Sequence, residues 1–209
     1  SREAIVHAAM EMLDREGEKG FSMRKLAAEL GVDPMALYHH FANRNAVLHA
    51  VLQAMMQEFE PPPPGADWRE DLRSLCHRLR GLARRHPGAF RVYELYEDWL
   101  PAEHGVREAF LATLTGAGFS PRRAVQATRL LLTYAEAFAM DEVSGWMESF
   151  DAAERASFLR SLEGGTHPAT DRLVDVVCTV DPDADFAFAL EILIAGLEAA
   201  LARPVQATP

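Results

Sequence analysis

Apolar residues recur every three to four positions along nearly the whole chain, and no convincing stretch alternates apolar with polar. A 3.6-residue period means one buried stripe per helix, whereas a half-buried strand would repeat every second residue. The chain is therefore expected to be all-α. Ile5, Ala9, Met12 and Leu13 make one face of a first helix, with Gly17 and Gly20 punctuating the turn after it. Ser22 can cap a second helix whose inner face is Met23, Leu26, Ala27 and Leu30. Gly31 ends it, Asp33 caps a short third helix with Pro34 at its first position, and Asn43 caps a fourth. That fourth helix buries Val47, Leu48, Val51, Leu52, Met55 and Phe59.

Pro61-Pro62-Pro63-Pro64-Gly65 must break the fourth helix and act as a stiff spacer. Beyond it the periodicity places an amphipathic helix from about Asp67 to His86 and shorter helices around Arg91–Asp98 and Glu103–Thr115. A long helix opens at Ser120-Pro121 and runs towards Trp146. A last helix spans about Ala184 to Ala202, and the stretch from Phe150 to Cys178 carries the weakest pattern.

Charge then narrows the function. The 209 residues hold 31 acidic and 21 basic side chains, a net charge of −10. Such a balance argues against general affinity for phosphates, so any nucleic-acid role must rest on a local motif. No apolar run approaches the ~20 residues that span a bilayer, and no charged leader precedes an apolar stretch, so a cytoplasmic protein without membrane contact is expected. Cys76 and Cys178 lie within helical apolar patterns and read as reduced core thiols.

The local motif is residues 22–41, SMRKLAAELGVDPMALYHHF. Two short helices joined by a three-residue glycine turn, preceded by a third helix, form a helix-turn-helix. The second helix of such a pair fits the major groove of B-DNA. Here it is Pro34–His40, with Leu37 and Phe41 inward and Met35, Ala36, Tyr38, His39 and His40 outward or sideways. Residues 19–44 carry Lys19, Arg24, Lys25 and Arg44 against Glu29 and Asp33, a local surplus of two positive charges.

Ala8-Ala9, Leu13, Gly17, the Gly20-Phe21-Ser22-Met23-Arg24 approach, Leu26-Ala27, Leu30-Gly31-Val32, Leu37-Tyr38, His40-Phe41, Asn43 and Leu48 together resemble the DNA-binding domain of the TetR family over Ile5–Leu52. The resemblance implies an N-terminal helix-turn-helix domain, set here at residues 1–46, and a larger helical ligand-binding and dimerisation domain at 47–209. It implies a homodimeric repressor that grips double-stranded operator DNA and releases it on binding a small molecule. Matched by position, Ser22, Met23 and Arg24 would sit against the backbone or groove edge. Met35, Ala36 and His39 would lie nearest the bases, and Tyr38, His40 and Arg44 would hold phosphates. The reading helix has no arginine, so apolar contact with thymine methyls is expected over guanine readout. Asp67–Leu72, Arg85–Ala89, Gly118–Ser120 and Phe186–Glu198 further resemble the tetracycline-repressor branch. That branch holds drug and magnesium with histidines. Glu60 and the histidine-free stretch Phe90–Leu95 stand at the matching places, so neither tetracycline nor a metal is carried over.

The residues of the second half suggest where dimer and ligand would sit. The last helix is apolar nearly all round, and a helix apolar on every side must be buried on every side. Phe186, Leu190, Leu193 and Leu197 form its main stripe, with Phe188, Ile192 and Ala199 off it. With Val125, Thr128 and Leu132 of the long helix, that stripe is the expected dimer interface. Leu75, Leu79, Phe90, Tyr93, Tyr96, Phe110, Tyr134 and Phe138 are the expected lining of an inducer pocket for an apolar or aromatic molecule; Trp99 and Trp146 lie in the same stretch. Each of these is equally at home in plain core.

Other chemistry finds no support. Asp181-Pro182-Asp183-Ala184-Asp185 has the alternating carboxylates of a calcium loop but Ile192 where a bidentate glutamate is needed. The eight histidines lack metal-ligand spacing, and there is no nucleophile elbow or phosphate-cradling loop. The chain is expected to be neither an enzyme nor a cofactor or metal protein. A helical small-molecule binder without DNA affinity is the alternative, favoured by the acidic balance.

Overall fold

The computed structural model describes residues 1–63, 65–93, 100–163 and 165–202. Every regular element among them is helical. A head is built from α1 (Arg2–Gly20), α2 (Met23–Glu29), α3 (Pro34–Tyr38) and the first turns of α4 (Arg44–Gln57). A body follows: α5 (Trp68–Arg85), α6 (Pro87–Tyr93), α7 (Glu103–Gly116), α8 (Pro121–Val143), an arm of α9 (Ala152–Ser161), α10 (Pro168–Arg172) and α11 (Val174–Val177), and finally α12 (Pro182–Ala202).

The head's helices begin where short polar side chains can take up orphan N–H groups. Ser22 Oγ accepts from the Lys25 N–H at 3.2 Å, Asp33 from Met35 at 2.8 Å and Asn43 from Ala46 at 2.9 Å. Gly31, at φ 66°, turns the chain out of α2 while the Val32 N–H returns to the Ala27 carbonyl at 3.0 Å. Leu13, Leu26, Leu37, Phe41, Val47 and Leu52 close the core beneath these turns.

Leu72, Leu75, Leu79 and Leu82 of α5 pack against α8, where Ala124, Ala135 and Ala139 let the two backbones approach. Each fully buried leucine contributes about 1.5–3 kcal/mol before entropy is counted. Polar links then fix α12 against this pair. Arg80, only 3% exposed, holds Glu142 of α8 through Nε and Nη2 at 2.8 and 2.9 Å and reaches Asp183 at the start of α12 at 2.9 Å. Arg84 joins the same two carboxylates.

Three elements differ from the sequence expectation. The helix placed around Arg91–Asp98 begins instead at Pro87. Its first free N–H groups, from Gly88 and Ala89, are taken by Asp14 of α1 at 2.8 and 3.2 Å, a cap supplied from far along the chain. The reading helix stops at Tyr38, and His39 and His40 form the turn that follows. The long helix stops at Val143, short of Trp146, with Gly145 at φ 82° just beyond. Cys76 and Cys178 are both buried and unpaired, and burial pushes the Cys76 thiol up to about 12.

Candidate DNA-reading head and ligand groove

Leu37 of α3 and Phe41 just beyond it point into the head and are almost fully enclosed, while Met35 is 64% and Tyr38 44% exposed. His39 and His40 are exposed beside them and Ala36 is half-buried. A helix of five residues thus spends one face on its own core and presents an apolar and aromatic face outward. Arg24 stands exposed at the start of α2 and Lys19 at the end of α1, neither with a partner among the described residues. Ser22 is engaged as the cap of α2.

Two expected contacts need correction. Met23 is buried (8% exposed), because it closes the core under α2, so its side chain is not available at a groove edge. Arg44 is half-buried and already engaged. Its Nη2 donates to both the carbonyl and the carboxylate of Glu18 at 3.2 Å, and its guanidinium lies 5.4 Å from the Phe21 ring centre. Lys25 is likewise tied to Glu16 at 2.8 Å.

The expected pocket lining is mostly core. Leu79, Phe90 and Phe110 are fully enclosed, and Tyr93 tilts against Phe90 at 5.8 Å. Tyr134 stacks on Phe186 at 5.2 Å and donates its hydroxyl to the Phe186 carbonyl at 2.8 Å; Phe138 meets the same ring edge-on at 5.1 Å. These rings pack against one another. Tyr96 and Trp99 lie outside the described residues, and Trp146 is 79% exposed.

Open space lies elsewhere. A groove of about 510 Å³ runs between the segment leaving α4, the start of α5 and one face of α7. Pro61, Pro62 and Gly65 form one wall, Trp68, Asp71 and Leu75 the floor, and Ala109, Ala112, Thr113 and Gly116 the other wall. Of the seven expected lining residues that are described, Leu75 is the one that lines it. Both Asp71 carboxylate oxygens accept from the Gly65 N–H at 3.0 Å, which pins the proline-rich wall to α5. A second cleft, about 460 Å³, lies between α1 and α4.

Residues 5–51 match the family of bacterial regulatory proteins named tetR, and residues 60–201 match the tetracyclin repressor-like C-terminal domain. The chain belongs to the TetR family. The class C tetracycline repressor of Escherichia coli is 31% identical over 202 residues, covering 94% of this chain and 90% of that protein. ActR of Streptomyces coelicolor, solved in complex with actinorhodin, superposes with a TM-score of 0.78 at 28% identity, covering 97% of this chain and 99% of that one. A TetR variant of Acinetobacter baumannii AYE in complex with minocycline gives 0.69 at 26% identity, with 97% and 99% coverage. The protein is therefore a DNA-binding transcriptional regulator with a ligand-binding C-terminal domain, from a family of dimeric repressors that bind operator DNA and small molecules. Among its described residues no helix is long and apolar enough to cross a membrane.

In this TetR-family regulator the expected dimer stripe faces inward. Phe186, Leu190 and Leu197 are buried in the subunit's own core, Leu193 is half-buried, and Thr128 and Leu132 of α8 are buried too. The reason is the ring cluster with Tyr134 and Phe138, capped by the Arg80 guanidinium 4.7 Å from the Phe186 ring centre. The opposite face of α12 carries Phe188 (70% exposed) and Ile192 (56%), and beside it α8 exposes Val125 and Leu130. Val125 alone of the seven expected interface residues lies on that outer surface. None of α9, α10 and α11 has a buried residue, and Leu173, Val176 and Trp146 lie exposed on the arm around them.

Proposed function

We propose that this regulator reads an operator with α3 and that a ligand in the 510 Å³ groove controls its grip. Met35, Ala36 and His39 face the bases, while Ser22, Arg24, Tyr38 and His40 contact the backbone. Phosphate contacts set register and base contacts set sequence preference. The two subunits meet through Phe188 and Ile192 of α12 with Val125 and Leu130 of α8, burying the apolar surface that one subunit leaves bare. Two heads related by a two-fold axis call for a palindromic site with half-sites about 34–36 Å apart, or a multiple.

The observation that carries the ligand reading is continuity of the chain. Pro61 and Pro62, one wall of the groove, follow α4 after Glu58, Phe59 and Glu60, and the first turns of α4 belong to the head. The 14 residues of α4 make a lever of about 21 Å. Farther along the lever, Gln53 accepts the Ala102 N–H at 3.2 Å, close to the start of α7. A ligand wedged between the proline wall and α7 therefore acts on both ends of the contact that sets the lever's tilt. The groove's lining is mostly apolar, with the Trp68 ring for stacking and Asp71, Glu108 and Thr113 as polar handles, which suits an apolar, ring-containing molecule. Coupling of about 1–3 kcal/mol between two sites is enough to release DNA, and it must act in both directions.

The test uses actinorhodin and minocycline as probes on the dimer bound to a duplex enriched from random sequence. Ala112→Trp fills the groove from an exposed position of α7. Release of DNA by either probe in the wild type, with loss of release but retained DNA binding in the variant, supports the reading. Equal release from both proteins rejects the groove as the controlling site.

A further inference from the structure

His86 stands at the corner between α5 and α6, immediately before Pro87, with its side chain 17% exposed. Its Nδ1 lies 3.2 Å from Asp14 Oδ2 of α1, and its Nε2 lies 2.9 Å from Glu58 Oε2 at the end of α4. A neutral imidazole carries one N–H and cannot donate to two carboxylates at once; the imidazolium donates from both nitrogens. The geometry is therefore that of a cation bolted between two anions.

The three helices so joined lie on the two sides of the regulatory machinery. α1 and α4 carry the head, and α6 packs against both from the body. Asp14 makes the joint double. While one oxygen meets His86, the other accepts the Gly88 and Ala89 N–H groups that open α6. At Gly88 the fit is tight enough that a Cβ would lie 1.9 Å from the Leu13 carbonyl oxygen. Among the described residues, Arg85 of α5 also faces Glu58, its Nε 3.7 Å from Oε2, and α6 presents the Gly88 and Ala89 main-chain N–H groups to Asp14.

We propose that the His86 imidazolium is the positioning residue that fixes the reading head on the ligand body, so that operator grip is strongest while it is protonated. The inference rests on the DNA-reading role proposed above. Two heads enter successive grooves only when their spacing is held, so a slack joint costs alignment on the DNA. The Asp14 hydrogen bond raises the His86 pKa above its ordinary 6.5, burial opposes, and Glu58 adds to the rise. A raised cationic pKa means the joint is complete below 6.5 and is lost as pH climbs through the raised value.

The test follows operator affinity of the purified dimer from pH 5.5 to 8.5, by fluorescence anisotropy on a duplex enriched by the wild type. His86→Gln and Glu58→Gln are compared with it. Glu58→Gln leaves the Asp14 cap of α6 intact and changes a residue 40% exposed, so it guards against a merely unfolded His86 variant. The reading is the difference in pH slope between proteins. At pH 6 the wild type should bind roughly fivefold tighter than either variant, the scale of a partly exposed ion pair, and the three should converge at pH 8.5. In the DNA-free dimer, the ¹⁵N shifts of the His86 ring should titrate with a midpoint above 6.5. Identical pH slopes in all three proteins, or a midpoint at or below 6.5, overturn this role alone. A wild type that binds no duplex at any pH overturns the reading function and this role together.

Discussion

The Arg2 guanidinium donates to the main-chain carbonyl of His40 at 2.8 Å and lies 4.1 Å from the centre of the Phe41 ring. The first turn of α1 thereby grips the turn that closes the reading helix, which is too short to hold itself. Arg2→Ala should weaken operator binding roughly threefold, the size of an exposed cation–π contact. Unfolding of the body should not change. Anisotropy at fixed salt and a denaturant melt together check both halves of this expectation.

Gly88 separates two effects of opposite sign. In a helix interior, alanine is favoured over glycine by about 1 kcal/mol. Here its Cβ would strike the Leu13 backbone, which cannot swing aside as a flexible side chain would. Gly88→Ala should therefore destabilise the protein by about 1–3 kcal/mol as α6 is forced from α1. Urea unfolding reads the sign directly, and a more stable variant would show that the joint is looser than the geometry says.

The exposed face of α3 and the exposed cation Arg24 should fail differently. Met35→Ala should relax base preference at one position of each half-site, costing about 1–3 kcal/mol there. Arg24→Ala should weaken all duplexes alike and lower the slope of log affinity against log salt by about 0.9. Competition against single-base operator variants at two salt concentrations distinguishes the two patterns.

The two faces of α12 give a third contrast. Ile192→Glu places a charge on the bare outer face and should yield folded monomers in sedimentation velocity at micromolar protein. Leu190→Ala, on the buried face, should leave the dimer but cost about 2–5 kcal/mol of stability. The reverse outcome would restore the inner stripe as the interface.

Arg80 and Glu142 form the most enclosed ion pair among the described residues. Arg80→Met leaves Glu142 with Arg84 alone, so it should cost less than the about 3–5 kcal/mol typical of a fully stranded buried charge. Burial pushes the Glu142 carboxyl up, but the hydrogen bonds and charges of Arg80 and Arg84 outweigh it and leave the pKa below 4.5. A depressed carboxylate contributes stability above its unfolded value, and that stability is lost as pH falls through the folded one. Acid unfolding of the wild type should therefore include a component below pH 4.5 that is absent in Glu142→Gln.

The head was legible because its signals are local. Ser22, Asp33 and Asn43 cap the helices they precede, and Leu37 and Phe41 point inward at helical spacing. The start of α6 was not, because its cap is Asp14, more than seventy residues earlier. On α12 the period marks two apolar stripes without saying which one meets a partner. Tyr134, Phe138 and Arg80 enclose Phe186 within the subunit and leave Phe188 exposed, a distinction the period does not carry. The groove escaped for a related reason. Large aromatic residues draw attention, yet they fill their own space, while the opening is made by Ala109, Ala112 and Gly116, where side-chain volume is missing.

The proposed reading of DNA by a strongly acidic two-fold dimer through residues 22–40 is open to a single assay. Selection from random duplexes by the purified protein, with the winners rebound at 50 and 200 mM salt, tests it most directly. Enriched inverted repeats with half-site centres about 10 base pairs apart, or a multiple, and affinity that falls steeply with salt are the expected result. No enrichment at low salt, or enrichment of single unpaired half-sites, would contradict it.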